Sequence, residues 1–370
     1  MSRKRKAKVK TKTEHIRPVI NDHAAGVDIG AREIYAAVSP ELDATQPVRC
    51  YETFTEKLKE LVAWFQTLRI STVAMEATSV YWIPLAALLE EAGIEVCLVN
   101  PRHAKNVPGR KTDVQDCQWL QYLHSVGLLR AAFRPPAQVR AIRSLWRHRD
   151  NLVRQSAWHM QHMHKALDQM NLQIHHVISD ITGKSGLAIV EAILEGERDA
   201  VRLAALGDKR LKANKQTLRA ALVGDYRDEH LFCLKQALEG HRFILGQVAA
   251  VDAKLETLHQ ALEKAPAPCE TTEAPLKART RHGCPVGYDA SKLLREHLGV
   301  DLTSIPGINT NTAQTLYAEL GGDLSAFKSG KHFASWLGLN PNNKITGGKI
   351  LSAHTKPCGN RVAKALRMAA

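Results

Sequence analysis

From His23 to about Leu129 the apolar positions come in short blocks that switch between two periods. Residues 24–29 (Ala-Ala-Gly-Val-Asp-Ile) and 33–39 read as a hairpin around Gly30, and 48–54 as a third strand. Such runs, bounded by turn residues, fit a pleated surface. Between 56 and 68 the spacing changes, and Leu58, Leu61, Val62, Phe65 and Leu68 fall on one face of a helix. A fourth strand over 72–76 precedes a second helix over 80–92, which Gly93 closes in the position that takes a left-handed backbone. A fifth strand covers 94–99. A loop rich in arginine, lysine and histidine follows, and a third helix opens with Thr112 as N-cap and runs to about Val126.

Pro135-Pro136 marks a boundary. Beyond it, 137–171 and again 209–264 read as long helices of mixed charge. Leu245, Val248, Val251, Leu255, Leu258 and Leu262 recur as a seam for a partner helix. Residues 265–290 carry Pro, Thr, Glu and Gly without apolar periodicity. In the last segment, Leu302-Thr-Ser-Ile-Pro-Gly-Ile-Asn ahead of Thr312-Ala-Gln-Thr-Leu-Tyr-Ala-Glu-Leu-Gly looks like a helix–hairpin–helix, whose Pro-Gly turn would offer backbone N–H groups to phosphate. A turn that only packs two helices is the alternative. The helix expected over 360–370 reaches the last residue without a cap, as in a segment truncated or short for its kind. The expected organisation is a basic disordered arm over 1–22 and an α/β domain over 23–134 in the βββαβαβα order of the RNase-H-like fold. A helical, coiled-coil-like region over 135–264, a linker over 265–290 and a mostly helical C-terminal domain over 291–370 complete it.

Charge narrows the partners. The 370 residues carry a formal net charge of +14, which favours a polyanion. The arm begins Met-Ser-Arg-Lys-Arg-Lys and is no secretory signal; it reads as a solvated tail or as a phosphate-binding arm. Seven cysteines, odd in number and without a Cys-x-x-Cys pair, fit a reduced compartment and no structural zinc. No apolar run approaches the roughly 18 residues of a membrane span. A soluble, cytoplasmic, nucleic-acid-binding protein is expected.

Four carboxylates carry the candidate chemistry. Asp28 ends the run Gly-Val-Asp-Ile-Gly, Glu76 ends Thr-Val-Ala-Met-Glu-Ala, and Asp113 and Asp116 lie one helical turn apart in Lys-Thr-Asp-Val-Gln-Asp. Acids at strand ends and an i, i+3 pair at a helix start can converge on one small volume. Converging carboxylates raise each other's pKa unless hard cations neutralise them, and two Mg2+ held about 4 Å apart would clamp both oxygens of a phosphoryl displacement. Asp116 alone also reads as a helix-surface acid. Arg102, His103, Lys105, Arg110 and Lys111 precede Asp113 in a loop that would border the cleft and hold a strand. Lys344, Lys349, Lys356, Arg361 and Lys364 form a second basic cluster, in which Gly347-Gly348 either admits a phosphate to the backbone or makes a tight turn. His159, His162 and His164 lack the spacing of a zinc helix and read as a polar face. Trp146 and Trp158 read as packing residues ahead of base-stacking ones.

Gly26-Val-Asp-Ile-Gly, Met75-Glu-Ala-Thr, Asn100-Pro, Lys111-Thr-Asp-Val-Gln-Asp, Ile305-Pro-Gly-Ile and Trp336-Leu-Gly-Leu, in this order and spacing, resemble the DEDD transposases of bacterial insertion sequences, the insertion-sequence 110 group. The resemblance implies a RuvC-like N-terminal domain, a helical middle and a C-terminal transposase domain. It carries the metal-binding tetrad onto Asp28, Glu76, Asp113 and Asp116. It also implies a nucleophilic serine in the C-terminal domain and a structured guide RNA, encoded by the element, that pairs with DNA. Where many relatives have Ser-Gly-Gly-Lys, this chain has Thr346-Gly-Gly-Lys, so Thr346 takes the nucleophile position and Ser352 is the fallback. The expected protein is a magnesium-dependent DNA recombinase, a homo-oligomer held by the helical seam, in the bacterial cytoplasm at the nucleoid. A Holliday-junction-resolving nuclease and an inactive, truncated nucleic-acid-binding remnant are the alternatives.

Overall fold

Five strands form one sheet in the N-terminal part of the computed structural model, which describes residues 18–77, 79–100, 113–208, 214–263, 284–355 and 358–370. The chain divides into two units, Met1–Phe133 and Arg134–Ala370. In the first, β1 (Ala24–Ile29), β2 (Glu33–Ala37), β3 (Val48–Glu52), β4 (Thr72–Glu76) and β5 (Glu95–Val99) lie in the order β3-β2-β1-β4-β5. β2 runs antiparallel to β1 and β3, whereas β4 runs parallel to β1 and β5 to β4. The helices are α1 (Thr55–Thr67), α2 (Trp82–Glu91) and α3 (Asp113–Ser125).

Alternation along the strands divides their side chains between two faces. Val27 and Ile29 of β1 and Val73 and Met75 of β4 join Leu61 and Phe65 of α1 and Leu85 and Leu89 of α2 in the main core. Burying a side chain of this size contributes roughly 1.5–3 kcal/mol, so this face supplies most of the unit's driving force. The opposite face is covered by α3. Gly26 makes that possible: a Cβ there would lie 2.2 Å from the Gln121 amide nitrogen and 2.3 Å from the Cys117 carbonyl oxygen. Gln121 Nε2 donates to the Ala24 carbonyl (3.4 Å), and Thr72 Oγ1 is hydrogen-bonded to His124 Nε2 (2.9 Å). The strands and helices appear in the order read from the sequence, with β3 shorter than expected. It ends at Glu52, and Phe54 becomes the exposed N-cap of α1. Gly93 closes α2 with φ 75°.

The second unit is mostly helical: α4 (Ala137–Gln169), α5 (Lys184–Leu194), α6 (Ala200–Ala205), α7 (Lys215–Ala221), α8 (Asp228–Gln260), α9 (Ala290–Leu298), α10 (Thr310–Leu320), α11 (Gly330–Trp336) and α12 (Arg361–Ala369), with a hairpin of β6 (Lys344–Thr346) and β7 (Lys349–Ser352). The second long run is broken where one helix was expected, because Gly224 passes so close to the Met170 carbonyl that a Cβ would stand 2.2 Å from it. Residues 172–208, which show no clear period, supply α5 and α6, and Ile189, Val190, Ile193 and Leu203 pack there with Met163 and Leu167 of α4. The seam on α8 is spent inside the unit. Val248 packs with Leu152 of α4, and Leu255 with Ile142 and Trp146, so the seam does not offer itself to a second copy; Leu245 alone of the six is exposed.

The linker expected over 265–290 also needs correction at its end. Arg149, 3% exposed, pairs with Asp252, 4% exposed, and its guanidinium also donates to the carbonyls of Cys284 (3.3 Å) and Pro285 (2.9 Å). Asp252 in turn accepts from the Gly287 amide (2.9 Å), while Val286 and Tyr288 are buried. Residues 284–289 are therefore anchored in the core. The remainder of that linker, and most of the basic arm, lie outside the described residues. Trp146 is a core residue as expected; Trp158 is not, being 56% exposed with its ring 4.0 Å from that of His162.

Candidate active site

Parallel pairing of β1 with β4 puts Val27 beside Met75, and the next residues along the two strands are Asp28 and Glu76. Because Val27 and Met75 point into the main core, Asp28 and Glu76 face the side that α3 covers. α3 runs opposite to β1, with Gln121 at Ala24 and Cys117 at Gly26, which brings its first turn, holding Asp113 and Asp116, towards the Asp28 end. Three elements thus deliver four acids to one end of the sheet.

The electrostatics agree. The Asp28 carboxyl is pushed up to about 6, first by its burial and then by the charges of Asp113, Asp116 and Glu76. Buried Cys117, packed beneath this turn, has its thiol pushed up to about 12 by burial and by Asp28 and Asp116. The donor set is oxygen only, the kind that suits hard divalent cations. Among the described residues no three His, Cys, Asp or Glu side chains stand close enough together to form a ready-made metal cage. The four acids therefore match a hard cation in kind and feel one another through space, without converging on one point. His159, His162 and His164 likewise form no such cage; the ring of His159 lies against Gly240.

Thr346, the candidate nucleophile, is exposed at the end of β6. It is paired with Lys349 across the two-residue turn Gly347-Gly348, so hydroxyl and ammonium stand on the same side of the hairpin. Both glycines have positive φ, 52° and 76°, and a Cβ on either would meet nothing within 4 Å. The turn geometry, and not close approach to a neighbour, is what demands glycine here. Ser352 pairs with Lys344 at the other end of the hairpin, and its Oγ accepts from the His354 amide (3.4 Å). Arg361 begins α12 and donates to Asp150 (2.7 Å). Arg102, His103, Lys105, Arg110, Lys111 and Lys356 lie outside the described residues. The tetrad and Thr346 belong to different units.

Sequence reasoning missed the residues that aim the first turn of α3: Gly26, Gln121 and His124. The glycine carried a usable signal, since a lone glycine inside a strand marks a close backbone approach.

A family profile of the DEDD type, described as a transposase of the IS110 group, matches residues 25–172. A second, described as "Transposase IS116/IS110/IS902 family", matches 301–370. Together they cover more than half of the chain. A protein of Sinorhizobium fredii (strain NBRC 101917 / NGR234), provisionally named a transposase (y4pF/y4sB), is 28% identical over 295 residues, 79% of this chain and 58% of its own length. A 43.6 kDa protein of insertion element IS110 from Streptomyces coelicolor is 40% identical over 73 residues, 20% of this chain and 18% of its own. The chain thus accounts for less than two thirds of either relative.

Proposed function

The chain belongs to the IS110 family of insertion-sequence transposases, and from that premise we propose that it cuts and rejoins DNA by transesterification. The observation that carries this is Asp28, a carboxyl raised first by its burial and then by three further acids gathered from β4 and α3. Asp28, Glu76, Asp113 and Asp116 would hold Mg2+, two ions in this proposal, which would supply neutralisation of the charge that builds on phosphate and leaving oxygen. The fold of this unit is taken as RNase-H-like, and the segment from α9 through Ile305-Pro-Gly-Ile to α10 as a helix–hairpin–helix on the DNA backbone.

Thr346 Oγ would attack the scissile phosphorus. A phosphorus–Oγ bond forms, the bond to the leaving sugar oxygen breaks, the hydroxyl gives up its proton and the leaving oxygen takes one. Lys349 across the turn would hold the phosphate beside it, with Lys344, Lys356 and Arg361 nearby in sequence and Arg102, Lys105, Arg110 and Lys111 holding the strand ahead of Asp113. The phosphoester bond to Thr346 conserves bond energy, so a second sugar hydroxyl can rejoin the strand without ATP. Target choice is assigned to a guide RNA from the element, and the working form to a homo-oligomer at the bacterial nucleoid. Among the described residues no helix is long and apolar enough to cross a membrane.

A structure-specific nuclease is the alternative: it needs the four acids and the basic surface but no hydroxyl nucleophile. Supercoiled DNA carrying the element's ends and flanks, incubated with Mg2+ and RNA transcribed from those flanks, separates the two. A DNA species retarded on a denaturing gel until protease treatment is expected, lost in Thr346→Ala and in excess chelator. Free cut strands with full activity in Thr346→Ala would establish the nuclease instead, and cutting that persists in chelator would refute the metal assignment.

A further inference from the structure

Unit 2 holds a cavity of about 410 Å3, none of whose lining residues belongs to the tetrad or to the hairpin of Thr346. α4 contributes positions 146, 149, 150, 153 and 154, and α12 contributes 361, 364, 365 and 368. Both series follow the i, i+3, i+4, i+7 spacing of one helix face, so two faces look across the cavity at each other.

Its charge is lopsided. Arg154 and Arg361 both donate to the same oxygen of Asp150, each at 2.7 Å, so one carboxylate answers two guanidinium groups. Lys364 is exposed one turn along α12 and has no acidic partner among the described residues. Arg149 contributes little further, because Asp252 already pairs with it. Beside these cations the lining turns apolar, with half-buried Val153 on α4 and Met368, 82% exposed, on α12.

A cationic edge against an apolar slot suits a ligand with a charged half and a flat unpolar half. A small anion would leave the apolar side unfilled; an apolar ligand would leave the excess cations unanswered. A nucleotide answers both, with phosphate on guanidinium and ammonium groups and a base face on side-chain carbon and sulfur. The volume falls within the range of sites that hold ligands of that size, about 300–1,000 Å3.

We propose that this cavity binds one unstacked nucleotide of a single strand, DNA or RNA, with its phosphate at Arg154, Arg361 and Lys364 and its base against Val153 and Met368. The assignment rests on the nucleic-acid function proposed above and gives it a further contact point, which takes Arg361 out of the group holding the phosphate at Thr346. It accounts for two arginines sharing one acid: an incoming phosphodiester supplies the acceptor that Asp150 alone cannot.

Photo-cross-linking on the full chain tests it. A short single-stranded DNA carrying 4-thiothymidine and the matching RNA carrying 4-thiouridine are irradiated with the protein, and the labelled peptides are mapped by mass spectrometry. Label is expected on peptides containing Val153 or Met368, and whichever oligonucleotide gives it identifies the strand. Lys364→Gln, which removes the free charge, and Ala365→Trp, which fills the cavity without changing charge, should each lower that label about tenfold, the scale of one lost charge-assisted contact. Circular dichroism checks that both variants are folded. Label found only elsewhere, or undiminished in Ala365→Trp, would overturn the cavity assignment while oligonucleotide binding in a gel shift left the wider function standing. Absence of any gel shift, duplex included, would overturn both.

Discussion

Asp28 is where local chemistry is most strained against stability. Its carboxyl titrates near 6 in the folded chain and near 3.8 when unfolded. Between those values the folded state keeps a proton that the unfolded chain has released, so this group's contribution to stability falls as pH rises from about 4 to about 6 and stays low above. Asp28→Asn should therefore raise the melting temperature of the metal-free protein at pH 8, by the equivalent of about 1–2 kcal/mol after discounting for partial exposure, and do nothing below pH 4. The same variant should lose DNA cleavage. Calorimetry across this pH range checks the first part, and an Asp28→Asn variant no more stable than the parent at pH 8 would mean that the acids do not press on one another. Asp28 and Glu76 were legible in the sequence because a charge that ends an apolar strand has no packing purpose. Asp113 and Asp116 were legible by their helical spacing. That Asp28 is the carboxyl on which the other three act was not, since it depends on the path of α3 over β1.

At the scale of elements, the packing contacts decide position, and two substitutions probe them. Gly26→Ala would set a methyl about 2.2 Å from backbone of α3. Neither strand nor helix can yield there cheaply, so a loss of more than about 3 kcal/mol is expected, seen as a denaturant midpoint shift with unit 2 unaffected. Asp252→Ala would strand the Arg149 charge in a dry core at a cost of about 3–5 kcal/mol. It should also free residues 284–289, which limited proteolysis would reveal as new cleavage there; a resistant segment would show that Val286 and Tyr288 suffice to hold it. The β–α order of unit 1 was readable because its periods change at turn residues. The α8 seam was readable as apolar but not as to partner, because periodicity names a buried face without naming what buries it. Residues 284–289 misled for the opposite reason: a segment of irregular backbone satisfied by one arginine looks, in sequence, like an exposed linker.

For the molecule as a whole, the net charge of +14 sets how the proposed function would meet nucleic acid. The logarithm of the binding constant should fall linearly with that of salt concentration, by about 0.9 per phosphate contacted on duplex DNA, giving at least a tenfold loss between about 50 and 200 mM. Titrations by fluorescence anisotropy at several salt concentrations measure the slope, and a flat response would exclude backbone phosphate as the main partner. The sequence by itself determined the alternation of strands and helices in unit 1, the helical character of unit 2, the cationic surplus and the presence of acids at two strand ends and one helix start. All of these follow from side-chain chemistry and from periods of two or 3.6 residues, which are local. Only the tertiary structure decided that α3 lies on Gly26 and turns its first residues to Asp28, that α4 absorbs the seam of α8, and that α4 and α12 face each other across a cavity. Those are distances between segments far apart in the chain, set by which close approaches the backbone permits.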